Sequence, residues 1–378
     1  MLFINNLIHN YPILTSLVSF IIGLCFMPLV IDIAKKRKFV VNPNKRTSHF
    51  GSIPNVGGVN IFISFLLTVF LFSYTIVSQL QFTIIGVFII LIVGFVDDLI
   101  DIKVVWKLLG ELVSAFFLIV VADIRLSNLH GFLGINEIPL VFSYLLSFFV
   151  FIVIINALNL VDGVDGLASG LGIIYSLFFA VYFQLTDRID IAISAYAMVG
   201  SLTVFFLYNV YGGKRKIFMG DSGALLLGYM ITLYVFEFCE MNIKPDINSY
   251  YIHSAPAVAI CVLAVPLFDT MRVMLTRIKK KVSPFKPDRN HIHHLLLKIG
   301  FKHYQVTLIL LLVSLGFIAL GLLGRNLSIV ILTLIAFFIA LILTYILWRK
   351  VDNKNIKLNV KSINTKTLNQ ETKKKRVN

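Results

Sequence analysis

Long apolar stretches, several of which end in polar clusters, constrain this chain more than any other feature. About eleven such stretches follow one another along the 378 residues, and a helix of about 20 apolar residues is long enough to cross a bilayer. Because hydrocarbon offers no hydrogen-bond partners to the backbone, each stretch is predicted to be an α-helix. The chain is therefore predicted to be an all-α polytopic membrane protein with about eleven transmembrane helices. The predicted spans are residues 11–32, 56–78, 82–97, 104–122, 139–157, 167–185, 190–208, 221–238, 255–276, 304–323 and 327–348.

The composition excludes a soluble multidomain protein. Hydrophobic residues make up 58% of the chain and charged residues only 14%, whereas soluble domains carry roughly 25% charged residues. No loop is long enough to fold as a separate soluble domain. Residues 1–350 are therefore predicted to form one integral membrane domain, and residues 351–378 a basic, disordered cytoplasmic tail.

Basic side chains predict the orientation. All but four of the 34 Lys and Arg residues lie in the tail and in loops that would share one side of the membrane. The exceptions are Arg125, Arg188, Lys244 and Arg325. Positive loops stay in the cytoplasm, so the N-terminus is predicted outside and the C-terminus inside a bacterial cytoplasmic membrane. The net charge of +15 then reflects topology and contact with anionic membrane lipids, with no nucleic-acid partner expected.

Five polar clusters fall on this predicted cytoplasmic side. Carboxylates close to hydrocarbon are costly, and the outer loops carry no comparable motif. The convergence of five loops on one face predicts an active site there. The clusters are Lys45–Gly58, Asp97–Lys107, Asn156–Gly166, Gly212–Gly223 and Arg277–Lys302.

Two adjacent aspartates end the third predicted span. Asp97 and Asp98 are followed by Asp101, and in a continuing helix Asp97 and Asp101 would share a face. Adjacent like charges repel, which raises at least one pKa. The pattern suits a cation site or proton transfer, and it also fits a solvated helix end.

The segment Asn156–Gly166 is more specific. It holds Asn156, Asn159, Asp162 and Asp165 together with two glycines. The glycines alone could mark a helix end. A simple turn does not need so many oxygen ligands, however, so the segment is predicted to bind a cation or substrate.

Two further clusters suit phosphate or metal chemistry. Asp221 or Ser222 could cap the following helix, or Asp221 could be an oxygen ligand of Mg²⁺, which also uses phosphate and water oxygens. His291-Ile292-His293-His294 lacks a cysteine or carboxylate to complete a zinc set. With Arg289 before it, this loop is better suited to phosphate.

These motifs resemble those of the polyprenyl-phosphate N-acetylhexosamine-1-phosphate transferases, over residues 11–348. The segment Lys45-Arg46-Thr47-Ser48-His49-Phe50-Gly51-Ser52-Ile53-Pro54-Asn55-Val56-Gly57-Gly58 is similar to the first cytoplasmic motif of one branch. That branch starts O-antigen, enterobacterial common antigen and wall teichoic acid assembly. The phospho-muramoyl-pentapeptide transferase branch instead has a different first motif and three consecutive histidines.

The resemblance implies roles for the site residues. Asn159 and Asp221 would hold Mg²⁺, or Mn²⁺, on the diphosphate of a UDP-N-acetylhexosamine. Four aspartates would be catalytic. Asp97 and Asp98 would position or deprotonate the lipid phosphate, and Asp162 and Asp165 would organise the polar base of the site. Substrate contacts would come from Lys45, Lys107, Asn156, Gly163, Phe218, Arg289, His291 and His293. Among these, Phe218 would stack on uracil near Gly163. Asp269 and Arg272 also fit the family pattern, or are structural.

The predicted reaction is transfer of N-acetylhexosamine 1-phosphate, with N-acetylglucosamine as the expected sugar, to undecaprenyl phosphate. UMP is released, and assembly of a cell-envelope polysaccharide of the O-antigen, capsule or teichoic-acid type begins. A cation-coupled transporter is the alternative, but it would place its aspartates near the membrane midplane on broken helices. An intramembrane aspartyl protease would leave the Asn156 and His291 segments unexplained.

Overall fold

The structure, a computed structural model, describes residues 11–41, 53–72, 77–244, 250–283 and 290–374. Thirteen α-helices account for most of these residues. They are α1 (Leu14–Lys36), α2 (Gly57–Phe72), α3 (Val77–Ile100), α4 (Val104–Phe116, continued by a π-helical turn over Phe117–Val121), α5 (Leu140–Val161), α6 (Leu167–Leu185), α7 (Ile189–Tyr211), α8 (Gly220–Glu240), α9 (Ala255–Val262), α10 (Ala264–Lys279), α11 (Ile292–Ile299), α12 (His303–Leu323) and α13 (Ile329–Lys374).

The predicted class, an all-α membrane protein, is confirmed. Among the described residues, 9 helices are long and apolar enough to cross a membrane, and α9 and α10 together would make one more span, bent by 79°. The remaining predicted span corresponds to α2, a shorter apolar helix of 16 residues. Each of the predicted spans thus has a helical counterpart. The number of crossings, the orientation of the termini and the domain boundary at residue 350 stay predictions.

Helix α8 lies at the centre of the bundle. In the most apolar 18-residue stretch of α8, 94% is buried inside the protein, whereas in the corresponding stretch of α13 only 22% is buried. Helices α2, α3, α5 and α6 pack around it, so α8 contacts protein on nearly every side. Outer helices such as α13 instead direct large apolar side chains outward, for example Phe338 and Ile342. This arrangement fits a protein whose solvent is lipid.

Glycines allow three helices to meet at the N-terminal end of α8. A Cβ on Gly58 of α2 would overlap the backbone nitrogen of Gly223, and a Cβ on Gly94 of α3 would lie 2.5 Å from the Cα of Ser222. Only residues without a side chain let the backbones approach this closely. The start of α8 is therefore fixed by backbone contacts from two other helices.

A short hairpin closes the opposite end of α8. Strands β3 (Asn128–Phe132) and β4 (Ile135–Glu137) pair antiparallel, as do β1 (Val40–Val41) and β2 (Ile53–Pro54). Ser127, just before β3, donates from its backbone nitrogen and from its hydroxyl to the carboxylate of Glu240, each at 2.7 Å. The two ends of α8 are thus tied to different parts of the chain.

Replacing Gly58 by alanine is expected to destabilise the protein. The new methyl group has no space beside Gly223, and overpacking of this kind costs roughly 1–3 kcal/mol. The matched control is Gly316→Ala in α12, where nothing lies within 4 Å of the added carbon and alanine favours a helix. The measurement is the apparent melting temperature of each detergent-solubilised variant. Equal melting temperatures for the two variants would contradict the close packing of α2 on α8.

Candidate active site

The site is built around the first turn of α8, which another helix caps. Asp98, near the end of α3, accepts hydrogen bonds from the backbone nitrogens of Asp221 (2.7 Å) and Ser222 (3.0 Å). The Nδ2 of Asn55 donates to the same carboxylate at 2.9 Å. The first N–H groups of a helix have no partner within the helix and carry partial positive charge. Asp98 satisfies both needs, so it positions the start of α8.

This capping arrangement decides between the two alternatives that the sequence leaves open for Asp221, a helix cap or a ligand. The N-cap residue of α8 is Met219, which makes no side-chain cap bond, and the Asp221 carboxylate instead accepts from Lys107 and Asn159. Gly220 has φ +72°, and a Cβ there would overlap Oδ2 of Asp98. Glycine is therefore required at position 220 both for its backbone conformation and for the approach of Asp98.

The described part of the first motif supports the loop before α8. The backbone nitrogens of Gly57 and Gly58 donate to the carbonyls of Phe218 and Met219, each at 2.9 Å, and Phe218 donates to the carbonyl of Pro54 at 2.8 Å. These bonds place the predicted uracil-stacking residue, Phe218, beside the motif. Lys45, an expected substrate contact, lies outside the described residues.

A lysine joins two of the predicted site carboxylates. The Nζ of Lys107 in α4 lies 2.9 Å from Oδ2 of Asp97 and 2.9 Å from Oδ1 of Asp221. Asp97 also accepts from the backbone nitrogen of Ile102 at 2.9 Å, and Asn159 donates to Asp221. Four residues from three separate sequence clusters therefore meet. The side chain of Asp221 is 33% exposed, so solvent and ligands can reach it.

The chemistry of these donors fits Mg²⁺. Within the described ranges no group of three or more His, Cys, Asp or Glu side chains is arranged to hold a metal ion. Mg²⁺ needs few protein ligands when phosphates and water supply the rest. The carboxylates of Asp97 and Asp221 already face a common positive charge, the Lys107 ammonium. Asp221 and Asn159 provide the kind of oxygen donors that the expected cation would use.

Asp162 and Asp165, expected to act together, have different surroundings. Asp162 follows α5, and its side chain is exposed to solvent. The surrounding protein and the charges of Asp221, Asp98 and Asp165 raise the pKa of Asp162. Asp162 therefore lies within electrostatic reach of the cluster around Asp221.

Asp165 is held in a separate ion pair. Its Oδ2 lies 2.7 Å from Nζ of Lys216, and its carbonyl accepts from Thr307 of α12 at 2.8 Å. Burial opposes its charge, but His303 and Lys216 outweigh burial and lower the pKa of Asp165. Lys216 also lies 5.5 Å from the centre of the Phe218 ring. Asp165 thus links the loop after α5 to the loop before α8.

A buried carboxylate orients the histidine segment. Oδ2 of Asp269 in α10 lies 3.0 Å from Nδ1 of His291, and Oδ1 accepts from Arg272 at 2.9 Å and from the backbone nitrogen of Ile292 at 3.0 Å. Because Nδ1 of His291 is engaged by Asp269, the ring can contact another group only through Nε2. Arg289, expected to contact phosphate, lies outside the described residues.

The two predicted substrate-binding histidines stack on each other. Their ring centres are 5.8 Å apart with planes 7° from parallel, and His293 contacts Gly163 so closely that a Cβ there would overlap Nε2. His291 and His293 are only 4% and 3% exposed. Burial, with the charge of His294, lowers the pKa of His293 to about 3, so His293 is neutral near pH 7. Their contact with substrate stays a prediction.

The motifs missed several residues of the site. Asn55 and Lys216 enter the sequence argument only as members of the segments Lys45–Gly58 and Gly212–Gly223, without a role of their own. Glu111 belongs to no motif, although it is a carboxylate inside the predicted span 104–122 and is only 1% exposed. A charged residue at such a position is itself a signal of function.

Comparison with known proteins connects this site to a family. The sequence pattern of glycosyl transferase family 4 matches residues 80–238. The chain is 30% identical over 336 residues to an undecaprenyl-phosphate alpha-N-acetylglucosaminyl 1-phosphate transferase of Escherichia coli strain K12, covering 86% of this chain and 89% of that protein. Proteins of the same description from Yersinia pestis (30% identical, 82% and 83% covered) and Salmonella typhi (31% identical, 80% and 81% covered) are also similar. The chain therefore belongs to glycosyl transferase family 4, as the order of its polar motifs indicated.

Proposed function

We propose that this protein transfers N-acetylhexosamine 1-phosphate from a UDP-sugar to undecaprenyl phosphate, with N-acetylglucosamine as the sugar. The product would begin assembly of a cell-envelope polysaccharide. The family supports the reaction class, because relatives that match most of this chain are described as undecaprenyl-phosphate transferases of N-acetylglucosaminyl 1-phosphate. The observation that carries the proposal is the meeting of Asp97, Lys107, Asn159 and Asp221 at one end of the helix bundle.

In the proposed reaction an oxygen of undecaprenyl phosphate forms a bond to the β-phosphorus of the UDP-sugar. The bond from that phosphorus to the bridging oxygen breaks, and UMP leaves with the electron pair. The nucleophile is already an anion, so positioning and charge neutralisation matter more than a strong base. Mg²⁺, held by Asp221 and Asn159, would neutralise the diphosphate.

The contacts of the two adjacent aspartates assign them different parts in this scheme. Both oxygens of Asp98 already accept hydrogen bonds from the first turn of α8, so this carboxylate is poorly placed to remove a proton. Asp97 is held between Ile102 and Lys107. We assign Asp97 to keeping the Lys107 ammonium beside Asp221, where it can meet a substrate phosphate, and Asp98 to positioning Asp221.

The surroundings of the site explain why a membrane protein would handle a water-soluble donor. The long isoprenoid tail of the acceptor must stay in hydrocarbon while its phosphate reaches a polar cluster at the span ends. By the positive-inside rule, the basic loops support a cytoplasmic location for this end. We therefore assign the site to the cytoplasmic face of a bacterial cytoplasmic membrane, with the N-terminus outside and the C-terminus inside.

The proposal is tested with purified protein, undecaprenyl phosphate and a panel of UDP-sugars labelled in the β-phosphate. Label is expected in an organic-extractable lipid, with an equal amount of UMP released and with UDP-N-acetylglucosamine as the best donor. Label recovered in UDP would mean transfer of the sugar without its phosphate, and the proposed reaction would be wrong. A deoxy-amino-sugar donor used at least tenfold better would change only the sugar.

Removal of the metal and of the Asp221 charge should have the same effect. Excess EDTA is expected to abolish turnover, and Mg²⁺ or Mn²⁺ should restore it, because oxygen donors dominate the site.

Asp221→Asn keeps the shape of the side chain but loses its charge, so turnover should fall by at least about a hundredfold, as when one charge-stabilising group is removed from an active site. The control is Asp190→Asn, at the opposite end of the bundle, which should keep its turnover. Full activity of Asp221→Asn would refute the metal-ligand role.

A further inference from the structure

A buried glutamate lies within the site without a role in the proposed reaction. Glu111 is in α4, inside a span and only 1% exposed. It follows Lys107 by one helical turn, so the two side chains share a face of the helix. Burying a carboxylate at this depth is costly unless specific partners stabilise it. The hydrogen-bond partner of Glu111 therefore indicates the role of this carboxylate.

That partner is the side-chain amide of Asn156. Nδ2 of Asn156 donates to Oε2 of Glu111 at 2.8 Å and to the backbone carbonyl of Ile152 at 3.0 Å. A backbone carbonyl can only accept, so it fixes which end of the amide faces Ile152. An amide nitrogen has two protons, and these two bonds use both. The side chain of Asn156 can therefore offer a ligand only its amide oxygen, Oδ1, as an acceptor.

The position of Asn156 on α5 brings its side chain close to the residues assigned to the reaction. Asn156 precedes Asn159 by three residues on α5, so the two side chains are neighbours on one helical face. Asn159 in turn donates to Asp221. Asn156 is half-buried, not sealed from solvent. Asn156 is therefore close to the residues that the proposed reaction assigns to the donor diphosphate.

We propose that Glu111 is a positioning residue that holds Asn156 with its oxygen toward the donor substrate. The oxygen would accept a hydrogen bond from a hydroxyl or amide N–H of the sugar nucleotide. Asn156 would not bind phosphate oxygens, because it has no N–H left to donate. This inference rests on the proposed function and names the chemistry of one of its substrate contacts.

The test exchanges the two functional groups. Asn156→Asp places two carboxylates within hydrogen-bond distance, so the KM for the UDP-sugar should rise at least tenfold. Adding Glu111→Gln supplies an amide that can donate to the new carboxylate, and the double variant should recover most of that loss. Glu111→Gln alone keeps an oxygen that can accept from Asn156 and should stay within about threefold of the wild-type KM, because one neutral hydrogen bond replaces a charged one.

A further variant separates positioning from general disruption. Glu111→Leu releases the Asn156 amide and should raise the KM for the UDP-sugar about tenfold, the cost of one misplaced hydrogen bond. The KM for undecaprenyl phosphate should change less than twofold. Glu240→Gln, which alters a carboxylate at the opposite end of α8, is the matched control and should leave both KM values unchanged. Size-exclusion profiles and melting temperatures in detergent identify folded variants.

The outcomes distinguish this inference from the function on which it rests. A folded Glu111→Leu variant with the wild-type KM for the UDP-sugar would overturn the positioning role. A double variant no better than Asn156→Asp would overturn it as well. In both cases an active wild-type protein would leave the proposed reaction standing. A wild-type protein that makes no lipid-linked sugar phosphate from any UDP-sugar would overturn the function and the inference together.

Discussion

The hydrogen bonds between Asp98 and the first turn of α8 organise the rest of the site. A helix that begins inside a bundle of membrane helices leaves N–H groups that water cannot easily reach. In this protein a carboxylate from α3 satisfies two of them. The left-handed conformation of Gly220 and the close approach of Gly58 and Gly94 both follow from bringing α2 and α3 to this point. Because the helix start is fixed, the Asp221 side chain is free to meet Lys107 and Asn159.

Charge balance gives this arrangement its chemistry. Lys107 lies 2.9 Å from a carboxylate oxygen on each of two helices, and a separate ion pair between Asp165 and Lys216 joins the neighbouring loops. Buried charges are tolerated when they are paired and hydrogen-bonded. When a phosphate-bearing substrate binds with its cation, Lys107 would pair with the phosphate and Asp221 with the cation, in place of their present pairing with each other. The protein's own contacts therefore prepare the site for an anionic ligand.

The sequence predicted the fold class, and its motifs contain four residues that the structure brings together, because both depend on local patterns. Helical spans follow from apolar length, and Asp97, Lys107, Asn159 and Asp221 lie in motifs that resemble those of a known family. The bend between α9 and α10 and the short length of α2 were not foreseen, because hydropathy reports apolar length but not helix direction.

The pairing of side chains could not be predicted in the same way. Adjacency in the sequence groups Asp98 with Asp97, yet consecutive helical residues point in different directions and reach different partners. Asp165 was grouped with Asp162, although its partner Lys216 is 51 residues away. Glu111 has no motif around it, and only its contact with Asn156 shows its place. Such long-range contacts depend on how helices pack, which local sequence patterns do not encode.

The most direct test of this account measures donor binding by an Asp98→Asn variant. Asparagine offers one acceptor oxygen where two are used, so the start of α8 and Asp221 should shift. We expect UDP-N-acetylglucosamine affinity in Mg²⁺, measured by calorimetry, to fall at least tenfold together with turnover. Asp101→Asn, an exposed neighbour whose left-handed backbone asparagine tolerates, should bind the donor normally. A folded Asp98→Asn variant that binds the donor with wild-type affinity but does not turn over would contradict the account, because Asp98 would then act on the acceptor.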